Sequence, residues 1–247
     1  MTADDTPTLS LVIPAHDEER TLPRLLATVA EARRVYADHG GRLETIVADD
    51  ASADGTARVA ADHRCLVASL DVRNIGAARN GGAILAQGQF VAFVDADSRV
   101  HPRTFVVVDE LLRSPRVVGG SSGVTMERWS VGIAVTWAMM IPLVWLTGFD
   151  TGVVFCRRAD FAALGGYDTR KRVAEDVDFL WRLWRLGRSR GQRLVRARGI
   201  KAVASARKFD DHGEWHYFGM VPLGFKLALG RGDGDGFVTR YWYGERR

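Results

Sequence analysis

The chain of 247 residues is poor in cysteine, with two, and in proline, with seven. Cys65 and Cys156 stand far apart with no C-x-x-C spacing. That excludes a zinc cluster or a disulfide scaffold and suits a reducing compartment. Few prolines, 26% charged residues and 47% hydrophobic residues exclude a low-complexity or disordered chain. The apolar share is ample for one sizeable core and tight for two, so a single domain over 1–247 is expected. The start, Met1-Thr2-Ala3-Asp4-Asp5, lacks a cationic n-region, so no secretory signal is expected and a cytoplasmic location is. Two phosphate-binding signatures are also missing. Without G-x-x-x-x-G-K-[ST], or G-x-G-x-x-G after the first strand, P-loop hydrolysis and dinucleotide binding are disfavoured.

Acid is absent from one long stretch. From Phe179 to Lys208 there are ten Lys or Arg and no Asp or Glu, so the remainder is net negative although the total is +4. Such a run reads either as a solvated helix face with strand edges or as a field that collects a phosphorylated ligand or anionic lipid. Nucleic acid is not expected, because no helix-turn-helix, zinc finger or RNP-like aromatic motif accompanies the charge. Both signs of charge are missing from 131–149, which reaches the length of a transmembrane candidate. Pro142 interrupts it, and Gly132 and Gly148 flank it. A buried or interfacial helix is therefore expected, serving as an acceptor wall, a homodimer contact or a peripheral membrane contact on the inner face.

The first hundred residues alternate short β-rich runs with helical patterns. Strands are predicted at Leu9–Ile13, Leu43–Ala48, Cys65–Leu70 and Phe90–Val94. Helices are predicted after a Thr21 cap, after Asp54-Gly55, and over Ala77–Gln87. This alternation implies an α/β fold with a Rossmann-like, mostly parallel central sheet and helices on both faces. Ligands of such sheets sit beyond the carboxyl ends of the strands.

Those ends are acidic. The first strand runs into Pro14-Ala15-His16-Asp17-Glu18-Glu19, the second into Asp49-Asp50, the fourth into Asp95-Ala96-Asp97. Acidic loops sharing a rim repel one another unless a cation or hydrogen-bond donors lie between them. Helix capping accounts for Asp54, and extends to Asp17 or Glu18, but not for acid at every strand end. Asp95-x-Asp97 offers hard oxygen ligands suited to Mg2+ or Mn2+, which keep waters and share a substrate phosphate. Pro14 suits a fixed backbone against a planar ligand, and Asp50 suits the N–H of a base. Arg79-Asn80, in a helix opened by small residues, fits a polar ligand wall. Glu175-Asp176 starts an amphipathic helix, reading either as macrodipole complementarity or as a general base. His212 is a candidate third metal ligand.

In order, SLVIPAHDEE, ADDASADGT, RNIGAARNGG, FVDADS, and LGGYD followed by AEDVDF resemble glycosyltransferase family 2 with its GT-A fold. Asp17 stands where the family usually has Asn, and Ala51 where it often has Gly. The resemblance implies a nucleotide-binding half over 8–100, an acceptor half over 101–230 and a tail over 231–247. It implies a nucleotide-diphosphate sugar donor, UDP favoured. Pro14, Asp17 or Glu18, Asp50 and Asn80 would line the nucleoside. Asp95 would hold the ribose and metal shell, and Asp97 the metal. Asp176 would be the base, with Glu175 as its substitute. Arg207 and Lys208 add positive charge for the diphosphate. The expected reaction is a metal-dependent, inverting transfer to an acceptor that is a glycan, a polyprenyl-linked compound or a small molecule. The alternatives are a retaining transferase with the same donor site, and an inactive donor-binding protein.

Overall fold

The computed structural model describes residues 6–136, 138, 151–171 and 175–213, with backbone alone at 208, 211 and 212. The chain divides into two compact units, Met1–Thr125 with Phe149–Ala204, and Met126–Gly148 with Ser205–Arg247.

In the first unit the chain runs β1 (Leu9–Ala15), α1 (Leu22–Asp38), β2 (Leu43–Asp50), α2 (Thr56–Asp62), β3 (Leu66–Leu70), α3 (Ile75–Ile84) and β4 (Phe90–Phe93). It continues through β5 (Ser98–Arg99), α4 (Thr104–Arg113), β6 (Val117–Ser121) and β7 (Val124–Met126), whose last residue opens the second unit. On its return it forms β8 (Val154–Arg157), α5 (Arg158–Ala163), α6 (Glu175–Ser189), β9 (Arg193–Arg196) and β10 (Ala202–Ala204). The main sheet has the order β3-β2-β1-β4-β8-β6-β9. All neighbours pair parallel except β8, which is antiparallel to β4 and β6. β5 pairs antiparallel with β10 in a smaller sheet.

Period-two alternation sorts the core into two layers. Leu9, Leu11 and Ile13 of β1 pack with Leu22, Leu25 and Val29 of α1 and Phe105 and Val108 of α4. Val12 faces the other way, with Phe161, Phe179, Leu180 and Leu183. Strands buried on both faces need continuous apolar runs, and β4 and residues 11–15 of β1 have them. Helices therefore cover both faces of the sheet, as the alternation predicts.

The boundaries differ in ways that matter to the site. β1 extends past Ile13 to Ala15 and β2 past Ala48 to Asp50, so Asp49 and Asp50 still belong to the sheet. Pro14 fits inside β1 because pairing with β4 ends at Val12, leaving no partner for a backbone N–H on that side. Thr21 occupies the cap position of α1 but is helical, and its hydroxyl donates to Glu18 instead of capping. Pro23 in the first turn sets the helical φ instead. α3 starts at Ile75, earlier than Ala77, because extended Asn74 caps it: Ala77 N–H donates to Asn74 Oδ1 at 2.8 Å. Its small residues are needed for packing. A Cβ on Gly82 would lie 2.6 Å from Val12 Cγ1.

In the second unit α7 spans Arg207–His212. Glu127 accepts from Ser205 Oγ and Ala206 N–H, and Ile133, Ala206 and Phe209 form a small apolar cluster. The expectations for 131–149 fall mostly on residues outside the described set. Among the described residues, no helix is long and apolar enough to cross a membrane.

Candidate active site

Strand order reverses between β1 and β4, and that switch opens the crevice beyond their carboxyl ends. Parallel register, with Ala15 opposite Asp49, brings the loops after β1 and β2 side by side. Those loops are laced together. His16 Nδ1 lies 2.7 Å from the Asp50 carbonyl oxygen. Asp17 N–H donates to Ser52 Oγ at 3.0 Å, and Asp17 Oδ1 accepts from Ala53 N–H at 2.8 Å. Glu18 N–H donates to Thr56 Oγ1 at 2.8 Å, and the Glu18 carboxylate accepts from Thr21. Glu19 N–H donates to Asp54 Oδ2, while Glu19 Oε2 accepts from Gly55 N–H. Asp17 takes φ 52°, a conformation that Asp and Asn tolerate better than most residues.

Asp50 is 2% exposed, and its carboxylate gathers the chain that leads into α3. Oδ1 accepts from Val72 N–H at 2.7 Å and Arg73 N–H at 3.0 Å, and Oδ2 from Asn74 N–H at 3.1 Å. Of the roughly four acceptor positions of a carboxylate, about one remains. Asp49, 8% exposed, has an Oδ1 without a hydrogen-bond partner.

The rim on the β4 side is built on a cation. Arg79, 3% exposed, projects from α3, and its guanidinium lies between three carboxylates. Nη2 is 2.7 Å from Asp95 Oδ1; Nη1 is 2.8 Å from Glu175 Oε1 and 2.9 Å from Asp176 Oδ1. The Asp176 contact is an ion pair off the N–H axis, so Oδ1 gains charge without a hydrogen bond. The guanidinium also lies 5.0 Å from the Tyr167 ring centroid. Tyr167 is positioned by Asn80: Asn80 Nδ2 donates to the Tyr167 carbonyl at 2.9 Å, and Tyr167 N–H donates back to Asn80 Oδ1 at 2.8 Å. A side chain on Gly166 would meet Asn80 Oδ1 at 2.4 Å, and Gly166 has φ +72°. Glycine is therefore required before Tyr167.

Asp176 keeps 17% of its side chain exposed, enough to be reached. Burial pushes its carboxyl up to about 7 against the pull of Arg79, and the neighbouring Glu175 and Asp95 charges add to the rise. Burial, followed by the Asp176 charge, likewise raises the Tyr167 hydroxyl well above its usual value.

Asp95 and Asp97 occupy a tight turn closed by Ser98 N–H donating to the Asp95 carbonyl at 3.0 Å. β5 follows at once and is held by β10. Asp95 is 51% exposed with one oxygen on Arg79, and Asp97 is half-buried beside it. Among the described residues, no three His, Cys, Asp or Glu side chains are grouped to hold a metal ion. The donor set fits a hard cation that takes two carboxylates and completes its shell from diphosphate and water. Arg207, Lys208 and His212 belong to the second unit, and the side chains of Lys208 and His212 lie outside the described set.

The structure thus brings Asp95, Glu175 and Asp176 together on Arg79. It also brings Asp17 and Glu18 to the β2 loop. Asn80 does not form part of an open polar wall, because its amide is spent on Tyr167, and Arg79 is buried beneath the rim. The central role of Arg79 went unread. Its signal was present: a charged residue among Gly and Ala at the head of a helix packed on a sheet must find buried acids.

This sheet, with its switch-point crevice and acidic turn after β4, has the GT-A glycosyltransferase fold. The chain belongs to glycosyl transferase family 2, whose model matches residues 10–139. A dolichyl-phosphate beta-glucosyltransferase, ALG5D of Trichomonas vaginalis, is 30% identical over 113 residues, covering 42% of this chain and 35% of that protein. The succinoglycan biosynthesis protein ExoO of Rhizobium meliloti is 36% identical over 103 residues, covering 40% of this chain and 28% of that one. These matches span about a third of the relatives' lengths. The mannosyltransferase PcManGT of Pyrobaculum calidifontis, solved with GDP-Man and Mn2+, superposes with a TM-score of 0.65 at 19% identity. That match covers 92% of this chain and 66% of the other. Glucosyl-3-phosphoglycerate synthase of Mycobacterium tuberculosis, solved with Mn2+, UDP and phosphoglyceric acid, gives 0.62 at 22% identity, covering 92% and 80%.

Proposed function

We propose that this chain transfers a sugar from a nucleotide-diphosphate donor, UDP-sugar favoured, to an acceptor hydroxyl in one inverting displacement. The observation that carries the reading is the Arg79 bridge. It ties Asp95, at the donor end of β4, to Asp176, in the first turn of α6, within one buried cluster. A carboxyl raised to about 7 and still reachable is suited to take the acceptor hydroxyl proton as the oxygen attacks. Such a base contributes about a hundred- to ten-thousandfold in rate. Glu175, 11% exposed and held on the same guanidinium, is the secondary candidate.

Asp97 and Asp95 would hold Mg2+ or Mn2+, which supplies positive charge to the departing diphosphate. Pro14, Asp50 and the laced loops after β1 and β2 would form the wall against the nucleoside. The acceptor belongs to the glycan, polyprenyl-linked or small hydroxyl compounds, and the chain acts in the cytoplasm or on the inner face of its membrane. Calorimetry of UDP binding, with and without Mn2+, tests the donor half. Asp97→Ala should abolish the Mn2+-dependent part of the binding, whereas unchanged Mn2+ dependence would contradict the metal assignment.

A further inference from the structure

The basic run begins on α6 and continues onto β9, the sheet edge that packs against it. Phe179, Leu180, Leu183 and Gly187 of α6 are buried. On the opposite side, Val177, Trp181, Arg185 and Arg188 follow the three- and four-residue spacing that gathers side chains on one face, and half-buried Trp184 borders them with one edge packed on the core. Trp181 is 47% exposed and Val177 36%. The two indoles stack with centroids 4.8 Å apart, and the Arg188 guanidinium lies 5.2 Å from the Trp184 centroid. The acid on this face, Asp178, is already paired with Lys171 and Arg182. β9, the last strand of the main sheet, packs against α6 through Leu194, and exposed Arg196 follows on the same face of the strand.

A solvated helix face calls for charge but has no use for a stacked tryptophan pair. Indoles framed by arginines match the boundary of an anionic bilayer. Amphipathic rings settle at headgroup depth there, and each nearby cation is drawn to the surface. Charge complementarity selects this occupant over a second copy of the chain, whose identical basic face would repel it.

We propose that the outer face of α6, with the adjoining Arg196 of β9, docks on an anionic lipid surface. Glu175 and Asp176 lie in the first turn of the docking helix. Under the transfer reaction proposed above, on which this corollary rests, that position favours an acceptor carried by the membrane.

Vesicle flotation of the whole chain tests the docking without reference to catalysis. The probes are phosphatidylcholine vesicles and phosphatidylcholine vesicles containing phosphatidylglycerol. The chain should float with the anionic vesicles alone, and added salt should weaken this. Trp181→Ser with Trp184→Ser, and separately Arg185→Gln with Arg188→Gln, should each lower binding by about tenfold, with the UDP–Mn2+ affinity retained as evidence of folding. No flotation of the native chain would overturn the proposal, as would flotation untouched by both pairs of substitutions. Loss of self-association, in place of vesicle binding, on replacing the tryptophans would assign the face to a second copy and would also overturn it. A chain that floats but transfers no sugar would count against the proposed reaction and leave the docking intact.

Discussion

The two sides of the acidic rim neutralise their carboxylates by different means. On the β1–β2 side, Asp17, Asp50 and Asp54 accept backbone N–H groups, the donors coming from the facing loop or from the chain that follows. On the β4–α6 side, Asp95, Glu175 and Asp176 share one buried guanidinium. Backbone donors are numerous, local and fixed, so that side is a rigid frame. Burial raises the Asp176 carboxyl against the pull of that one guanidinium, and the negative charge of Glu175 and Asp95 adds to the rise. Rigidity on one side and an adjustable proton on the other are what a donor wall and a base require.

Substitutions break this contrast in a graded order. Arg79→Met should have the largest effect, leaving three acids without their cation and costing about 3–5 kcal/mol of stability. Urea denaturation at pH 7 measures it, and a smaller loss at pH 5, below the raised Asp176 carboxyl, would show that charge is the cause. Asp50→Ala strands the amides of Val72, Arg73 and Asn74 and should cost about 1–3 kcal/mol by the same denaturation. Asp17→Asn should be the mildest, within about 0.5 kcal/mol, because the side-chain oxygen and the tolerance of positive φ both survive.

The raised Asp176 carboxyl also sets a pH dependence. Its folded-state value of about 7 lies above the ordinary value of about 4, so the folded protein holds the proton more tightly than the unfolded chain. The stability from this group is fully present below about pH 4 and is lost as pH rises through about 7. Asp176→Asn should flatten that decline when denaturation of the metal-free protein is followed from pH 5 to 8.

The layered core was legible in the sequence because β4 and residues 11–15 of β1 are continuous apolar runs, as burial on both faces demands. The carboxyl-end acids were legible as a rim because parallel crossovers return every strand in one direction. Less visible was how the acids are satisfied. Arg79 meets Asp95 across 16 positions and Glu175 across 96, a distance no local pattern encodes. Asn80 was read as facing a ligand because an amide in sequence does not declare its partner, here the backbone of Tyr167. Thr21 was misread because its hydroxyl found the Glu18 carboxylate before it. β8 escaped the reading because its antiparallel place between β4 and β6 is set by the sheet around it.

In the proposed reaction Asp176 accepts the proton, across the Arg79 bridge from Asp95 at the carboxyl end of β4. Sugar transfer by Asp176→Asn, measured beside its UDP–Mn2+ affinity, tests this most directly. The predicted result is a rate lowered by about a hundredfold or more with affinity unchanged; undiminished transfer with the same affinity would contradict it.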